Sequence, residues 1–518
     1  MLSRLNNNSV YRIIISSLWF LLLVGLPLTS FPILSRLTGA IVAPFSAIPL
    51  FFLIILWLIP YLLDGRGFPA EVIPFIYFIL CALIITSLAF FLNGYYDLGR
   101  NYFDQSLRAL FTVAIGLAFY MFFTVFPLSE KTIQKTLLFI SIGGGILIIW
   151  TIIESILLRG VNRAIRLPES FLTIRSALAV YSPSMMFTNR VTGFAYEPSW
   201  FVRQFNLILF PIWLALAFFR KSVFPVKVWL FQIEDFLIVA GLIVFGFSSP
   251  RIGSVALLVS LTFLAFLFLL QVHKYLTTWY VRWRKIPSSR LIIAKIILAI
   301  VMIVVILMIF LGTMNWYIGF ASQWDWRFEL MARQSPSNLL QVFSLSETDL
   351  IYRARDLAFY ERVIFWFGGW NIFNDFPFGV GLGNAGFYFL ERMHGAGFES
   401  FEIRNIIYRA NYLPNTKNLW TRLLAETGFI GLALFAVWLY FLWRSAGLSR
   451  KHGTGLLKVI GLAGQLFLLA FIIEALSMDS FAMPYEWIMA GLISAAGVLT
   501  RKNLRSRDMP QGLVTDQA

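Results

Sequence analysis

Three groups of polar residues interrupt the apolar runs of this chain where more apolar residues are expected, and arginine recurs in all of them. The first is Arg190-Val-Thr-Gly-Phe-Ala-Tyr-Glu-Pro-Ser-Trp200, with Arg203 just beyond it. Glu197 precedes Pro198, and a residue before proline avoids helical angles, so the spacing predicts an extended glutamate at the head of a helix. A carboxylate with arginines at a membrane mouth is costly unless the groups are paired or used. Two readings stay open: a structural ion pair of Glu197 with an arginine, or a catalytic or ligand-binding role. The second group is Ser248-Ser-Pro-Arg251. A guanidinium fork fits phosphate oxygens through paired hydrogen bonds, and snorkelling to lipid headgroups is the alternative.

The third group lies in residues 313–418. It holds Arg362, the run Asp375-Phe-Pro-Phe-Gly-Val-Gly-Leu-Gly-Asn384, His394 and Lys417-Asn418, followed by Glu426-Thr-Gly-Phe-Ile-Gly431 in the next apolar run. The glycine run has no strand signal before it and no phosphate-loop lysine after it, which excludes nucleotide binding. His394 is more often an inert loop residue than a base. Cys81 is the single cysteine, and His273, His394 and His452 are far apart, so a metal site built on cysteine or histidine is not expected. Arginines, a carboxylate and no metal ligands suit an anionic amphiphile such as a lipid-linked diphosphate. Guanidinium groups neutralise a departing diphosphate, and a carboxylate takes the proton of an attacking hydroxyl.

The elements that must position these groups are membrane helices. Apolar residues make up 59% of the 518 and charged residues 13%, against roughly 45–50% and 25% in soluble domains. Runs of about twenty residues, enough to cross a bilayer, begin near Ile13, Ala40, Ala70, Leu107, Thr136, Trp200, Phe231, Ile252, Leu291, Leu419, Gly455 and Met483. The fold expected is all-α and polytopic, with about twelve spans. Glu234, Asp235 and Glu486 intrude on the runs near Phe231 and Met483. Residues 1–312 carry spans one to nine and 313–418 form an extracytoplasmic region. Residues 419–500 carry the last three spans, and 501–518 are a basic tail whose end is expected to be disordered.

Basic short connections set the orientation. Arg220, Lys221 and Lys227 fall in one, Lys274, Arg282, Arg284, Lys285 and Arg290 in another, and Arg444, Arg450 and Lys451 in a third. With both termini cytoplasmic, these face inward together with Arg501, Lys502, Arg505 and Arg507, and 313–418 faces outward. That region holds nine Lys/Arg, ten Asp/Glu and the tryptophans Trp316, Trp324, Trp326, Trp366 and Trp370, as suits a segment lying on a bilayer. Within it, residues 354–373 have helical spacing, with Phe359, Val363, Trp366 and Trp370 on one side.

The order Arg190-x-x-Gly with Glu-Pro-Ser, Ser-x-Arg251, Arg362, Pro377-x-Gly-x-Gly-x-Gly-Asn384, then Lys417-Asn418 and Gly428-x-x-Gly431 resembles the O-antigen ligase and O-antigen polymerase superfamily of bacterial membrane glycosyltransferases. The resemblance spans about 190–431. It implies a donor glycan on undecaprenyl diphosphate, a glycan or glycolipid acceptor, and catalysis without metal or other cofactor at the outer face of the inner membrane. It also implies membrane lipids as partners, a chain-length regulator or flippase as possible ones, and no nucleic acid. By the same resemblance Arg251 and Arg362 correspond to the family's periplasmic arginines and are expected to be catalytic, and Arg190 is a third member of that set. Arg190, Arg203, Lys417 and Asn418 are expected to bind substrate, and Glu197 to be the base. Ligases carry histidine where this chain has Lys417, and a lysine protonated at neutral pH is a poor base, which favours a polymerase. Ligation to lipid A-core or protein is the alternative. A transporter or flippase of two six-span halves fits less well, because the longest connection follows the ninth span. A scaffold subunit of an export complex would leave the outward arginines unexplained.

Overall fold

The computed structural model describes residues 7–93, 96–97, 99–159, 168–181, 190–248, 250–284, 288–323, 325–333, 346–357, 359–409 and 413–508. Trp324, Ser249, Lys285 and the tail beyond Asp508 lie outside these residues. Among the described residues the chain is all-α apart from two short hairpins, each of two two-residue strands, and one isolated bridge between Ser30 and Ala43. Contacts divide it into one unit of Met1–Pro250 with Ile364–Ala518, and a second of Arg251–Val363.

In the first unit the helices follow the apolar runs. They are α1 (Ser9–Val24), α2 (Pro32–Thr38), α3 (Ala47–Leu63), α4 (Ala70–Leu92), α5 (Tyr102–Val125), α6 (Glu130–Arg159), α7 (Glu169–Leu178), α8 (Pro198–Phe218) and α9 (Ile233–Ser248). The second unit holds α10 (Arg251–Arg284), α11 (Ser288–Ser322), α12 (Trp326–Ala332) and α13 (Glu347–Asp356). Helix α14 (Tyr360–Asp375) starts in the second unit and runs into the first. The first unit resumes with α15 (Ala385–Arg392), α16 (Phe401–Tyr408), α17 (Leu419–His452), α18 (Gly455–Glu474) and α19 (Pro484–Asp508).

Among the described residues, eight helices are long and apolar enough to cross a membrane. At the four remaining expected positions stand α1 and α3, which are apolar but shorter, the sixteen-residue α9, and α19, whose last two turns are charged. The helix of the ninth expected span continues to Ser322, and α19 continues to Asp508. The single helix expected over 354–373 is two helices, α13 and α14. Between them the chain turns, with the Phe359 amide donating to the Ala354 carbonyl at 2.7 Å.

The first unit is centred where α4, α5, α17 and α19 meet. Phe75, Tyr120, Phe435, Trp438 and Trp487 interlock there, with ring centroids 4.7 Å apart for Phe75–Trp438 and 5.6 Å for Trp438–Trp487. Lipid gives apolar helices little reason to associate, so close packing of small residues must hold them. A Cβ on Gly116 would lie 2.5 Å from the Trp487 ring, and one on Gly461 2.7 Å from the Ala446 carbonyl. At one end of the bundle Glu71 pairs with Arg501. At the other, the Leu419 amide donates to the Ala475 carbonyl at 2.8 Å. Helices α3 and α8 each contain a π-helical turn, at Ile54–Leu58 and Phe205–Leu209, just before Pro60 and Pro211. Proline lacks the amide that the α pattern needs, and a wider turn absorbs the misfit.

Candidate functional site

The first polar group is held by residues that the sequence reading did not single out. The Thr192 and Gly193 amides donate to the buried Glu154 carboxylate at 3.2 and 2.8 Å. Arg175 pairs with Glu154 at 3.1 Å and donates to the Thr192 hydroxyl. Glu154 interrupts the apolar run of α6, a signal in the sequence that a buried carboxylate needs a partner. From this anchored turn Arg190 donates through Nε to the Ser248 carbonyl at 2.8 Å, and the Ser248 hydroxyl donates to the Pro198 carbonyl at 3.3 Å. The start of α8 and the end of α9 are thereby tied together.

Glu197 is extended, at φ −144° and ψ 161°, and heads α8 as expected. Its carboxylate is half-buried and accepts from the Ser199 hydroxyl. Arg203, one and a half turns deeper, is buried and faces Glu474 at 3.8 Å while donating to the Ser477 carbonyl. Asn206, in the π-helical turn, donates to Glu474 at 2.6 Å. Arg422 repeats the arrangement: it pairs with Glu426 at 3.0 Å and donates to the Asp479 carbonyl. Arg203, buried, and Arg422, mostly buried, therefore grip the connection between α18 and α19, each balanced by a glutamate. Ionised groups at this depth need both charge partners and hydrogen bonds, and these have both.

The glycine run is a packed clasp. Helix α17 is broken at Gly428, with φ 63° and ψ −170°. The break takes the Ala425 and Glu426 carbonyls out of the helical pattern, and buried carbonyls must find other donors. The Val380 and Gly381 amides supply them, each at 2.9 Å, and the Phe429 amide turns to the Pro377 carbonyl at 3.1 Å. Such contact leaves no room for side chains: a Cβ on Gly379 would lie 2.6 Å from the Glu426 carbonyl oxygen and one on Gly383 2.7 Å from that of Gln105. The other edge is pinned by Thr86 to the Leu382 amide at 2.9 Å and by Ser106 to Asn384 at 2.9 Å. Tyr102 donates to the Val380 carbonyl at 2.9 Å and lies 3.1 Å from the Tyr388 hydroxyl. Burial pushes the Tyr388 phenol up, so it stays protonated at neutral pH.

Lys417 has φ 50°, pairs with Glu402 and stands 4.4 Å from the centre of the Phe365 ring. Asn418 is the cap of α17, its side-chain oxygen accepting from the Trp420 amide at 2.8 Å. His394 accepts from the Ala396 amide at 3.2 Å and starts the short helix Gly395–Glu399.

In the second unit, Arg251 opens α10. Its guanidinium donates to the Leu357 carbonyl at 2.8 Å and stacks over the Phe359 ring at 4.1 Å. It is thus brought, across more than a hundred residues of sequence, to the turn that leads directly into the helix of Arg362. Both arginines are half-buried.

Residues 236–436 match the O-antigen ligase family model. The matched O-antigen ligase stretch contains Arg251, Arg362, the glycine clasp and Lys417-Asn418, while Arg190, Glu197 and Arg203 precede it. The match supports the resemblance to the O-antigen ligase and polymerase superfamily, whose members are glycosyltransferase-like enzymes of bacterial membranes. No curated protein matches the chain.

Proposed function

We propose that this protein is a membrane glycosyltransferase that moves a glycan from undecaprenyl diphosphate to the hydroxyl of an acceptor glycan, as a polymerase of surface polysaccharide at the outer face of the inner membrane. The observation that carries this reading is the pair Arg251 and Arg362. Arg251 is held by the Leu357 carbonyl and the Phe359 ring, and Arg362 stands one helical turn beyond that ring. The held guanidinium of Arg251, with that of Arg362 from the following helix, would meet the charge that grows on a diphosphate as its bond to the sugar breaks. The acceptor oxygen forms the new bond at the anomeric carbon, the diphosphate leaves on its lipid, and the hydroxyl proton passes to a base. Glu197 suits that task, being a half-buried carboxylate hydrogen-bonded to a neutral hydroxyl. Lys417, engaged as a cation by Glu402, suits phosphate or sugar positioning instead.

Ligation to lipid A-core or a protein is the second reading, and the family match is compatible with either reaction. The test is turnover of a lipid-linked repeat by purified protein in vesicles. Arg251→Lys and Arg362→Lys keep the charge and lose the fork, and each is expected to lower the rate roughly ten- to hundred-fold. Products that form a ladder of repeats support the polymerase, and a single transfer to lipid A-core supports the ligase. A well-expressed Arg251→Ala variant giving normal product would overturn the diphosphate role.

A further inference from the structure

The connection between α8 and α9 carries a feature that glycan transfer does not use. Lys227–Val228 pairs with Phe231–Gln232, so Trp229 and Leu230 form a two-residue hairpin tip. Trp229 has φ 56°, a position that glycine or asparagine usually fills in such turns. Trp229 is 87% exposed and Leu230 76% exposed, and Val226, Val228 and Phe231 are exposed as well. The foot of the hairpin is fixed. Buried Glu234 accepts from the Val223 amide at 2.8 Å and from the Ser222 hydroxyl at 2.9 Å. Asp235 accepts from the Gln232 amide at 2.9 Å and pairs with Arg220 at 3.4 Å. The two carboxylates that intrude on the seventh apolar run therefore root this hairpin.

A rooted apolar tip in an unfavourable turn thus stands in the short connection between two apolar helices. Arg220, Lys221 and Lys227 lie in the same connection, which suits anionic headgroups. Tryptophan favours that same layer. We propose that the Lys227–Gln232 hairpin inserts Trp229 and Leu230 into the adjoining leaflet, at the boundary of headgroups and acyl chains, with the basic residues on anionic lipid.

The test uses the full chain in vesicles. Cys81 is the only cysteine, so a Cys81→Ala background with Leu230→Cys carries one nitroxide label. The label is expected to be open to oxygen and closed to a water-soluble nickel chelate, and to sit deeper in vesicles containing phosphatidylglycerol than in phosphatidylcholine alone. A label at Asn503, exposed in α19, is the aqueous reference. A second label at Val228 is expected to become open to the chelate when Trp229→Asp is added. Chelate access at Leu230 equal to that at Asn503 would overturn the proposal. Exclusion of both reagents would overturn it too, since protein would then cover the tip. Neither result bears on the glycosyltransferase assignment, which rests on other residues.

Discussion

Glu197 and Lys417 are the residues at which the chemistry divides. Among the described residues Glu197 accepts one hydrogen bond, from a neighbour two residues away, and a carboxylate has capacity for further donors. Lys417 is committed to Glu402 and an aromatic face. Glu197→Gln is expected to lower turnover by about 10²- to 10⁴-fold, the usual worth of a general base, with folding intact. Lys417→Ala is expected to lose far less. In-vitro rates on a lipid-linked repeat decide this, and a normal Glu197→Gln beside a dead Lys417→Ala would reverse the roles. At this scale the sequence exposed the unusual residues better than their surroundings. Arg203 stood out as a cation at a membrane mouth, but its partners Glu474 and Ser477 are some 270 residues away in sequence, and no local pattern links them. Asn418 likewise drew notice as a polar group beside lysine, and it caps a helix. Asn418→Ala is expected to destabilise the protein by about 1 kcal/mol, read as a lower unfolding midpoint in detergent.

Helices were legible wherever an apolar run was long; their interruptions were not. Periodicity carries through the break after α13, where the Phe359 amide turns back to the Ala354 carbonyl, because a short break hardly disturbs the spacing of apolar residues. The break at Gly428 is also silent locally, since its compensation comes from the amides of Val380 and Gly381. The glycine run was visible as a turn signal, but not as the partner of that break. The clasp predicts a contrast between two glycines. Gly379→Ala places a Cβ against the Glu426 carbonyl at φ 92° and is expected to destabilise the protein severely, by more than about 2 kcal/mol. Gly395→Ala meets nothing within 4 Å and is expected to be neutral. Thermal unfolding of the two variants is the measurement, and equal midpoints would contradict the clasp.

For the whole molecule, composition announced a membrane protein and the apolar runs announced the helices. Which runs cross fully is harder to read, because α1, α3 and α9 are close to the minimum length and the buried carboxylates of α9 and α19 lower their apparent hydropathy. The pair Glu71–Arg501 joins the start of the third expected span to the end of the twelfth. Reporter fusions at Gly395 and at Ser288 are expected to report outside and inside, respectively. The same compartment for both would overturn the orientation drawn from basic residues.

The π-helical turn at Phe205–Leu209 gives α8 a phase as well as a shape. Such a turn holds one residue more than the α-helix on either side of it, and one residue of helix is about 100° of rotation. Glu197 and Arg203 before the turn therefore keep their heading, relative to the lower half of the helix, only while that surplus residue is present. Deleting Leu207 alone would leave an apolar helix still able to enter the bilayer, yet swing Arg203 away from Glu474 and Ser477. The chain would be inserted and inactive, the outcome of a lost count rather than a lost side chain.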